Sequence, residues 1–172
     1  MDAMPRLTIE ELSPVPRFSL RVRGENREAL AGMLPLELPA RIGLRAAGGG
    51  CETLCLGPDE WVVLCADHAR EALLAASSAA YPQIPHSLCE ISDREVTLRL
   101  SGAQVLDALA SGCPREVAAI AVGQGRRTLF DSVTVILWRD EAHSFRMDMG
   151  RSFAPHIRAL LRLVEAELNA GL

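Results

Sequence analysis

Gly150-Arg151-Ser152-Phe153-Ala154 sets a serine between a strand-like and a helix-like segment, the setting in which a strained elbow exposes a hydrolase nucleophile. In that fold the acid and the histidine follow the serine. The only later histidine here is His156, four residues into the same helical segment, so Ser152 is read as a helix cap. A metal centre needs ligands converging within about 2.0–2.3 Å of the ion. Cys51 and Cys55 face the same way on an extended segment but stand about 13 Å apart. His68, His86, His143 and His156 are scattered without chelating partners. Gly123-Gln124-Gly125 has two of the three glycines of a dinucleotide fingerprint, with no strand entering and no helix leaving, and reads as a turn. Arg126, Arg127 and Arg151 suit a carboxylate or another anion, because a guanidinium fork pairs bidentately. Trp61 and Trp138 belong to the residue type enriched at interface centres. Trp61, Arg126, Trp138 and Arg151 are therefore the candidate partner-facing residues; no catalytic, cofactor-binding or metal-binding residue is assigned.

Composition closes off several chemistries. All 18 basic residues are arginine, which removes a lysine Schiff base and a P-loop lysine. The net charge of -4 and the lack of a basic tract argue against a nucleic-acid partner. No segment reaches the roughly 18 apolar residues of a membrane helix. The leader Met1 to Ser13 contains Asp2, Glu10 and Glu11 and no signal-like apolar run, so a cytoplasmic protein is expected. The five cysteines are an odd number without C-x-x-C spacing, as expected of buried free thiols in a reducing compartment.

The elements that must position these residues are legible in part. From Ser92 to Pro114 the chain reads as a strand, with Val96, Leu98 and Leu100 alternating, that turns into a helix bearing Val105, Leu106 and Leu109. Ser101 with Gln104 makes a capping-box pattern; Gly112 is the expected left-handed stop, with Pro114 beyond it. Earlier, Phe18, Leu20 and Val22 form a strand and Leu30, Met33 and Leu34 a helical face. Ile42 and Leu44 alternate from Arg41 to Arg45, and Gly48-Gly49-Gly50 turns into Cys51–Leu56 as a hairpin. Trp61 to Cys65 is apolar throughout, as in a strand covered on both faces, and Asp67 is placed to cap a helix with Ala69, Leu73 and Ala76 on one side. Near the end, Val133, Val135 and Leu137, then Phe145, Met147 and Met149, mark an antiparallel pair. Ser152 caps a last helix whose stripe is Phe153, Ile157, Leu160, Leu161, Val164 and Leu168.

Ser19-Leu20-Arg21-Val22-Arg23-Gly24 matches Thr97-Leu98-Arg99-Leu100-Ser101-Gly102, and Pro35-Leu36-Glu37-Leu38 matches Pro114-Arg115-Glu116-Val117. The expected fold class is α+β, an internal duplication of two β-α-β-β-β-α units whose sheets can merge into one body with two helical layers. Residues 1–172 are expected to form one domain, with repeat 1 at about 17–80, a linker at about 81–90 and repeat 2 at about 91–170.

Between Leu56 and Leu163 a series of short motifs recurs in a fixed order: Leu56-Gly57-Pro58-Asp59-Glu60-Trp61, Ile91-Ser92-Asp93-Arg94, Leu98-Arg99-Leu100-Ser101-Gly102, Gly112-Cys113-Pro114, Arg127-Thr128-Leu129, Leu137-Trp138-Arg139 and Arg151-Ser152-Phe153. Together they resemble the gamma subunit of heterotetrameric sarcosine oxidase. The resemblance implies a complex of alpha, beta, gamma and delta chains that oxidatively demethylates sarcosine to glycine and passes the one-carbon unit to tetrahydrofolate. It implies no cofactor on this chain, with FAD, FMN, NAD and tetrahydrofolate on other subunits. It also implies a fold similar to the folate-binding domain of the glycine-cleavage aminomethyltransferase. That transferase's pattern continues through a glycine-containing hairpin with paired aspartates that supply its functional carboxylate. Here Thr128-Leu129-Phe130 passes straight into Asp131-Ser132-Val133, so no catalytic role carries over to Asp131. The expectation is a non-catalytic assembly subunit; a free-standing folate-binding or aminomethyltransferase-like protein, or a regulatory scaffold for another flavoprotein, are the alternatives.

Overall fold

The computed structural model describes residues 5–171; Leu172 and the start of the acidic leader, Asp2 included, lie outside them. The chain divides into two compact units: a first unit, Pro14–Ser92, and a second unit made of the segment ending at Ser13 together with Asp93 onward. In chain order the elements are β1 (Thr8–Glu11), β2 (Arg17–Arg21), a 3-10 turn at Gly24–Asn26 leading into α1 (Arg27–Ala31), β3 (Arg45–Gly48), β4 (Cys51–Gly57), β5 (Glu60–Cys65), α2 (Asp67–Ala80) and β6 (Ser87–Glu90). There follow β7 (Glu95–Ser101), α3 (Val105–Ala110), β8 (Gly125–Phe130), β9 (Val133–Glu141), β10 (Ser144–Gly150) and α4 (Ala154–Ala170).

The expected α+β character is observed. In place of a merged sheet there are two five-stranded sheets, β3-β4-β5-β2-β6 in the first unit and β8-β9-β10-β7-β1 in the second, with antiparallel pairing throughout. Both have one plan. A meander of three strands, each leading to the next through a tight turn, closes against an earlier strand, β2 in the first unit and β7 in the second. A fifth strand then covers the remaining edge. These fifth strands are not legible in the sequence. β1 lies in the leader, and β6 lies within the stretch 81–90 expected to be a linker. Each shows one half-buried residue in four, Ile9 and Leu88, too little alternation for a strand signal.

The strongest patterns fold as they read. All five residues from Trp61 to Cys65 are buried in β5, and Phe145, Met147 and Met149 of β10 are buried against Val96, Leu98 and Leu100 of β7 and Ile157 and Leu161 of α4. In the first unit Phe18, Leu20, Leu30, Trp61, Val63 and Leu73 form the corresponding core.

Helix ends and turns depart from the local expectation. Ser101 remains in β7, paired with Thr8 and Ser144; α3 starts only at Val105, and no side chain caps it. The backbone N–H groups of Ala103 and Gln104 instead donate to the carbonyls of Pro5 and Arg6 at 3.0 and 2.8 Å. Tertiary acceptors replace the capping box: they take the Gln104 N–H that the box assigns to the Ser101 hydroxyl, and the Ala103 N–H as well. The chain passes so close there that a Cβ on Gly102, at φ 132°, would stand 2.5 Å from the Arg6 carbonyl oxygen. Gly112 is not in the left-handed region; its role is steric, since a Cβ would meet the Phe130 ring at 2.8 Å. Asp67 is the first residue of α2, after Ala66, and makes no capping bond, although its charge suits the helix N-terminus. Ser152 sits in a 3-10 turn before α4 without a capping bond, and Pro155 occupies the first turn, where its missing N–H costs nothing. Phe153 is exposed and stands outside the buried stripe. Residues 41–44 do not form a strand: Gly43, at φ 88°, turns the chain and leaves Ile42 exposed. α1 ends at Ala31, so Met33 is exposed while Leu34 and Leu36 pack inward.

Cys51 and Cys65 are not free thiols. They face each other across the β4–β5 hairpin with Cα atoms 4.2 Å apart and form a disulfide, a pairing that only the hairpin register reveals. Cys55, Cys89 and Cys113 are free. No described helix is long and apolar enough to cross a membrane.

Candidate functional site

The second unit carries a polar row on the sheet face opposite to the α3 and α4 side. Cross-strand register aligns Arg127 of β8 with Ile136 of β9, Ile136 with Asp148 of β10, and Asp148 with Thr97 of β7. Alternation puts Val133, Val135 and Leu137 in the helix-covered core, and turns Thr134, Ile136 and Trp138 to this face. A cavity of about 510 Å³ opens over the row, lined by Arg94, Glu95, Arg127, Thr134, Asp148 and Phe153 among others.

Asp148 is 1% exposed. The Thr97 hydroxyl donates to its Oδ1 at 2.6 Å, and the Trp138 indole N–H donates to its Oδ2 at 2.6 Å. The Arg146 guanidinium lies 4.9 Å from the Trp138 ring centre and is held by Asp140 through bonds of 2.7 and 2.9 Å. A buried carboxylate must be hydrogen-bonded to persist. With each oxygen accepting from a neutral donor, Asp148 is equipped to lock β7, β9 and β10 together. These bonds and its burial give Asp148 a structural part in the sheet.

At the β8–β9 turn, Asp131 is the only described residue other than glycine with positive φ, 53°. His156 Nε2 lies 3.1 Å from its Oδ2, and the Ser132 hydroxyl donates to the same oxygen at 3.0 Å. The His156 contact, with smaller help from Ser132, holds the Asp131 carboxyl below its ordinary pKa. Serine, acid and histidine thus meet, but with the carboxylate in the middle. A nucleophile-activating triad needs the histidine between serine and acid; here the imidazole has no contact with the Ser132 proton. Asp131 also stands without an acidic neighbour, as its sequence context implies.

The other sequence candidates are dispersed. Arg127 lines the cavity. Arg126 donates to the Gly125 carbonyl at 2.8 Å, and the Arg151 Nε–H to the Asp93 carbonyl at 2.8 Å. Trp61 and Trp138 are 1% and 0% exposed. Trp61 donates to the Pro39 carbonyl at 2.9 Å. Neither indole offers a surface to a partner, because the apolar strands that carry them bury both. Gly123, at φ 80°, stands in a turn as expected. His86 Nδ1 contacts the Ile84 carbonyl at 2.6 Å and its Nε2 the Ser77 hydroxyl at 2.8 Å, so Nδ1 carries the proton and Nε2 accepts one. Among the described residues no three His, Cys, Asp or Glu side chains converge as metal ligands. Burial pushes the Cys113 thiol up to about 11 and raises Cys55 as well, so both resist forming the reactive thiolate. Sequence reasoning missed Asp148. The signal was in β9, where Ile136 and Trp138 make the second face apolar too and so mark it as covered.

No protein-family model matches the chain, and no curated protein matches it significantly. Among solved structures it is similar to a chain of the heterotetrameric sarcosine oxidase from Corynebacterium sp. U-96 in complex with pyrrole 2-carboxylate, with a TM-score of 0.82 and 27% identity over 95% of this chain and 85% of that one. It is also similar to the glycine cleavage system aminomethyltransferase T from Bartonella henselae, with a TM-score of 0.70 and 15% identity over 91% of this chain and 45% of that one. The second likeness is one of fold, and the chain spans less than half of that protein. The resemblance read from the motifs between Leu56 and Leu163 therefore holds in three dimensions, with a fold like part of an aminomethyltransferase.

Proposed function

We propose that this chain is a non-catalytic subunit that assembles with the alpha, beta and delta chains of a sarcosine-oxidase-type heterotetramer. The observation that carries the reading is the likeness to a chain of that enzyme over 95% of this sequence and 85% of that chain, which supports the same structural job by analogy of fold. The site geometry is in keeping with it: Asp148 is buried and bonded to Thr97 and Trp138 of the neighbouring strands, and Asp131 separates Ser132 from His156. In this reading FAD, FMN, NAD and tetrahydrofolate are held by other subunits. The shared strand order of the two units supports descent from an internal duplication, with residues 1–172 acting as one gamma-like domain of two repeats.

The test is co-expression with the other oxidase chains of the same host. The subunit reading expects this chain to co-purify with flavin absorbance and to be colourless alone. Recovery of the chain alone, with unchanged oxidase activity after its deletion, contradicts it. A second reading, a free-standing folate-binding or one-carbon-transfer protein, is favoured by the likeness in fold to the aminomethyltransferase. Calorimetry with tetrahydrofolate separates the two: heat of binding to the isolated chain supports the second reading, and its absence removes it.

A further inference from the structure

We propose that the groove between α4 and the β8–β9 hairpin receives an apolar anchor side chain, flanked by a basic residue, from a partner subunit; this rests on the subunit reading above. α4 has more apolar surface than its sheet uses. Ile157 and Leu161 are fully buried against the sheet, while Leu160, Leu163 and Val164 continue along the adjoining face at i, i+3 and i+4. Leu163 is 62% exposed, unusual for a leucine in an otherwise amphipathic helix. These side chains line a cavity of about 400 Å³ whose wall outside α4 includes Gly112 and Phe130. Gly112 keeps that wall open, because any side chain there collides with the Phe130 ring. The volume falls in the range of pockets that enclose a small ligand or a few side chains, roughly 300–1,000 Å³.

Charge identifies the occupant. Asp131 and Glu167 line the groove, and no lysine or arginine does. The Asp131 carboxylate leans on His156 alone among the described cations, and Glu167 has no cationic partner among the described residues. The other flank of α4 differs: there Arg158 pairs with Glu11 at 2.5 Å, and Arg162 and Glu165 line a smaller cavity beside them, so acids and bases are already mixed within the chain. An apolar lining that holds the unpaired Glu167 carboxylate and no basic side chain fits an apolar anchor next to arginine or lysine. The likeness to a chain of a heterotetramer favours another subunit as the source of that segment.

The experiment co-expresses the full chain with the other oxidase chains of its host and measures their affinity by surface plasmon resonance on the purified components. Leu163→Asp is expected to weaken association about thirtyfold or more, as for a central apolar anchor. Glu167→Arg is expected to weaken it about three- to tenfold at low salt, with the effect shrinking as salt rises. Both side chains are exposed, so thermal unfolding of the isolated chain should be unchanged; this control separates lost docking from lost folding. Wild-type association that survives Leu163→Asp overturns the inference and leaves the subunit reading intact. Absence of wild-type association overturns the subunit reading itself. A wild-type homodimer that Leu163→Asp converts to monomer in sedimentation assigns the groove to a second copy and also overturns the inference.

Discussion

Val62 in the first unit and Asp148 in the second occupy the same place in two sheets of the same strand order. Val62 pairs with Ser19 and Leu54, and Asp148 with Thr97 and Ile136. Their exposures are 2% and 1%, so the fold demands burial at both positions and leaves the chemistry open. The first unit meets the demand with an apolar side chain that needs no partner. The second uses a carboxylate and must supply the Thr97 hydroxyl and the Trp138 indole to hold it. One topology therefore accepts either solution, but the polar one is conditional on its neighbours. A second difference runs the other way: the first unit closes its β4–β5 hairpin with the Cys51–Cys65 disulfide, whereas counting along the matching strands of the second unit reaches Val133 and Arg151.

Exchanging the two solutions is the most severe test of this contrast. Val62→Asp puts a carboxylate where Ser19 is the nearest cross-strand polar group and Leu54 is the other neighbour, so the first unit should fail to fold, a loss above about 4 kcal/mol. A folded variant with a near-native circular dichroism spectrum contradicts the claim. The reverse change, Asp148→Val, removes the acceptor of both the indole and the threonine hydroxyl and should cost about 2–4 kcal/mol in urea unfolding. A cost below about 0.5 kcal/mol would mean that the polar row does not lock the strands.

Reduction of the disulfide sharpens the second difference. The bridge spans 14 residues, and a loop of about that length contributes roughly 3 kcal/mol by restricting the unfolded chain. Dithiothreitol should therefore increase hydrogen exchange in β4 and β5 and leave β9 and β10 unchanged. Equal protection with and without reductant contradicts this. The smallest effect is expected at Asp131. His156 holds its carboxyl below the ordinary 3.8, so the folded state binds that proton less readily than the unfolded chain. The contribution is present above pH 3.8 and is lost as the pH falls through the folded pKa. An NMR titration should find the Asp131 midpoint below 3.8 and moving up toward it in His156→Ala. Identical midpoints in the two proteins contradict the pairing.

The contrast between the units also explains what was legible in the sequence. β5 and β10 read correctly because burial imposes a pattern on consecutive residues, Trp61 to Cys65 continuous and Phe145, Met147 and Met149 alternating. The α4 stripe read correctly at Ile157 and Leu161 for the same reason. β1 and β6 did not, since an edge strand with one half-buried residue leaves almost no pattern. The capping box at Ser101 and Gln104 was locally sound, yet the carbonyls of Pro5 and Arg6, nearly a hundred residues earlier in the chain, took the donors. Cys51 and Cys65 pair through register across a hairpin, and Asp148 is a site only because Trp138 and Thr97 reach it from other strands. Arg127 could be named as a polar residue but not placed over the cavity. The indoles at Trp61 and Trp138, offered as interface residues, pack inward; a single sequence lists the tryptophans without saying which side of their strand is covered. Properties carried by neighbours in sequence were readable, and those carried by neighbours in space were not.

The central claim is that the chain supports an enzyme it does not itself catalyse, and co-expression with the oxidase chains of its host tests it most directly. Purification through a tag on this chain should yield a complex with flavin absorbance, whose sarcosine oxidation survives Asp131→Asn and Asp148→Asn whenever the complex assembles. A colourless chain recovered alone, or an assembled complex whose turnover is abolished by Asp131→Asn, would contradict the account.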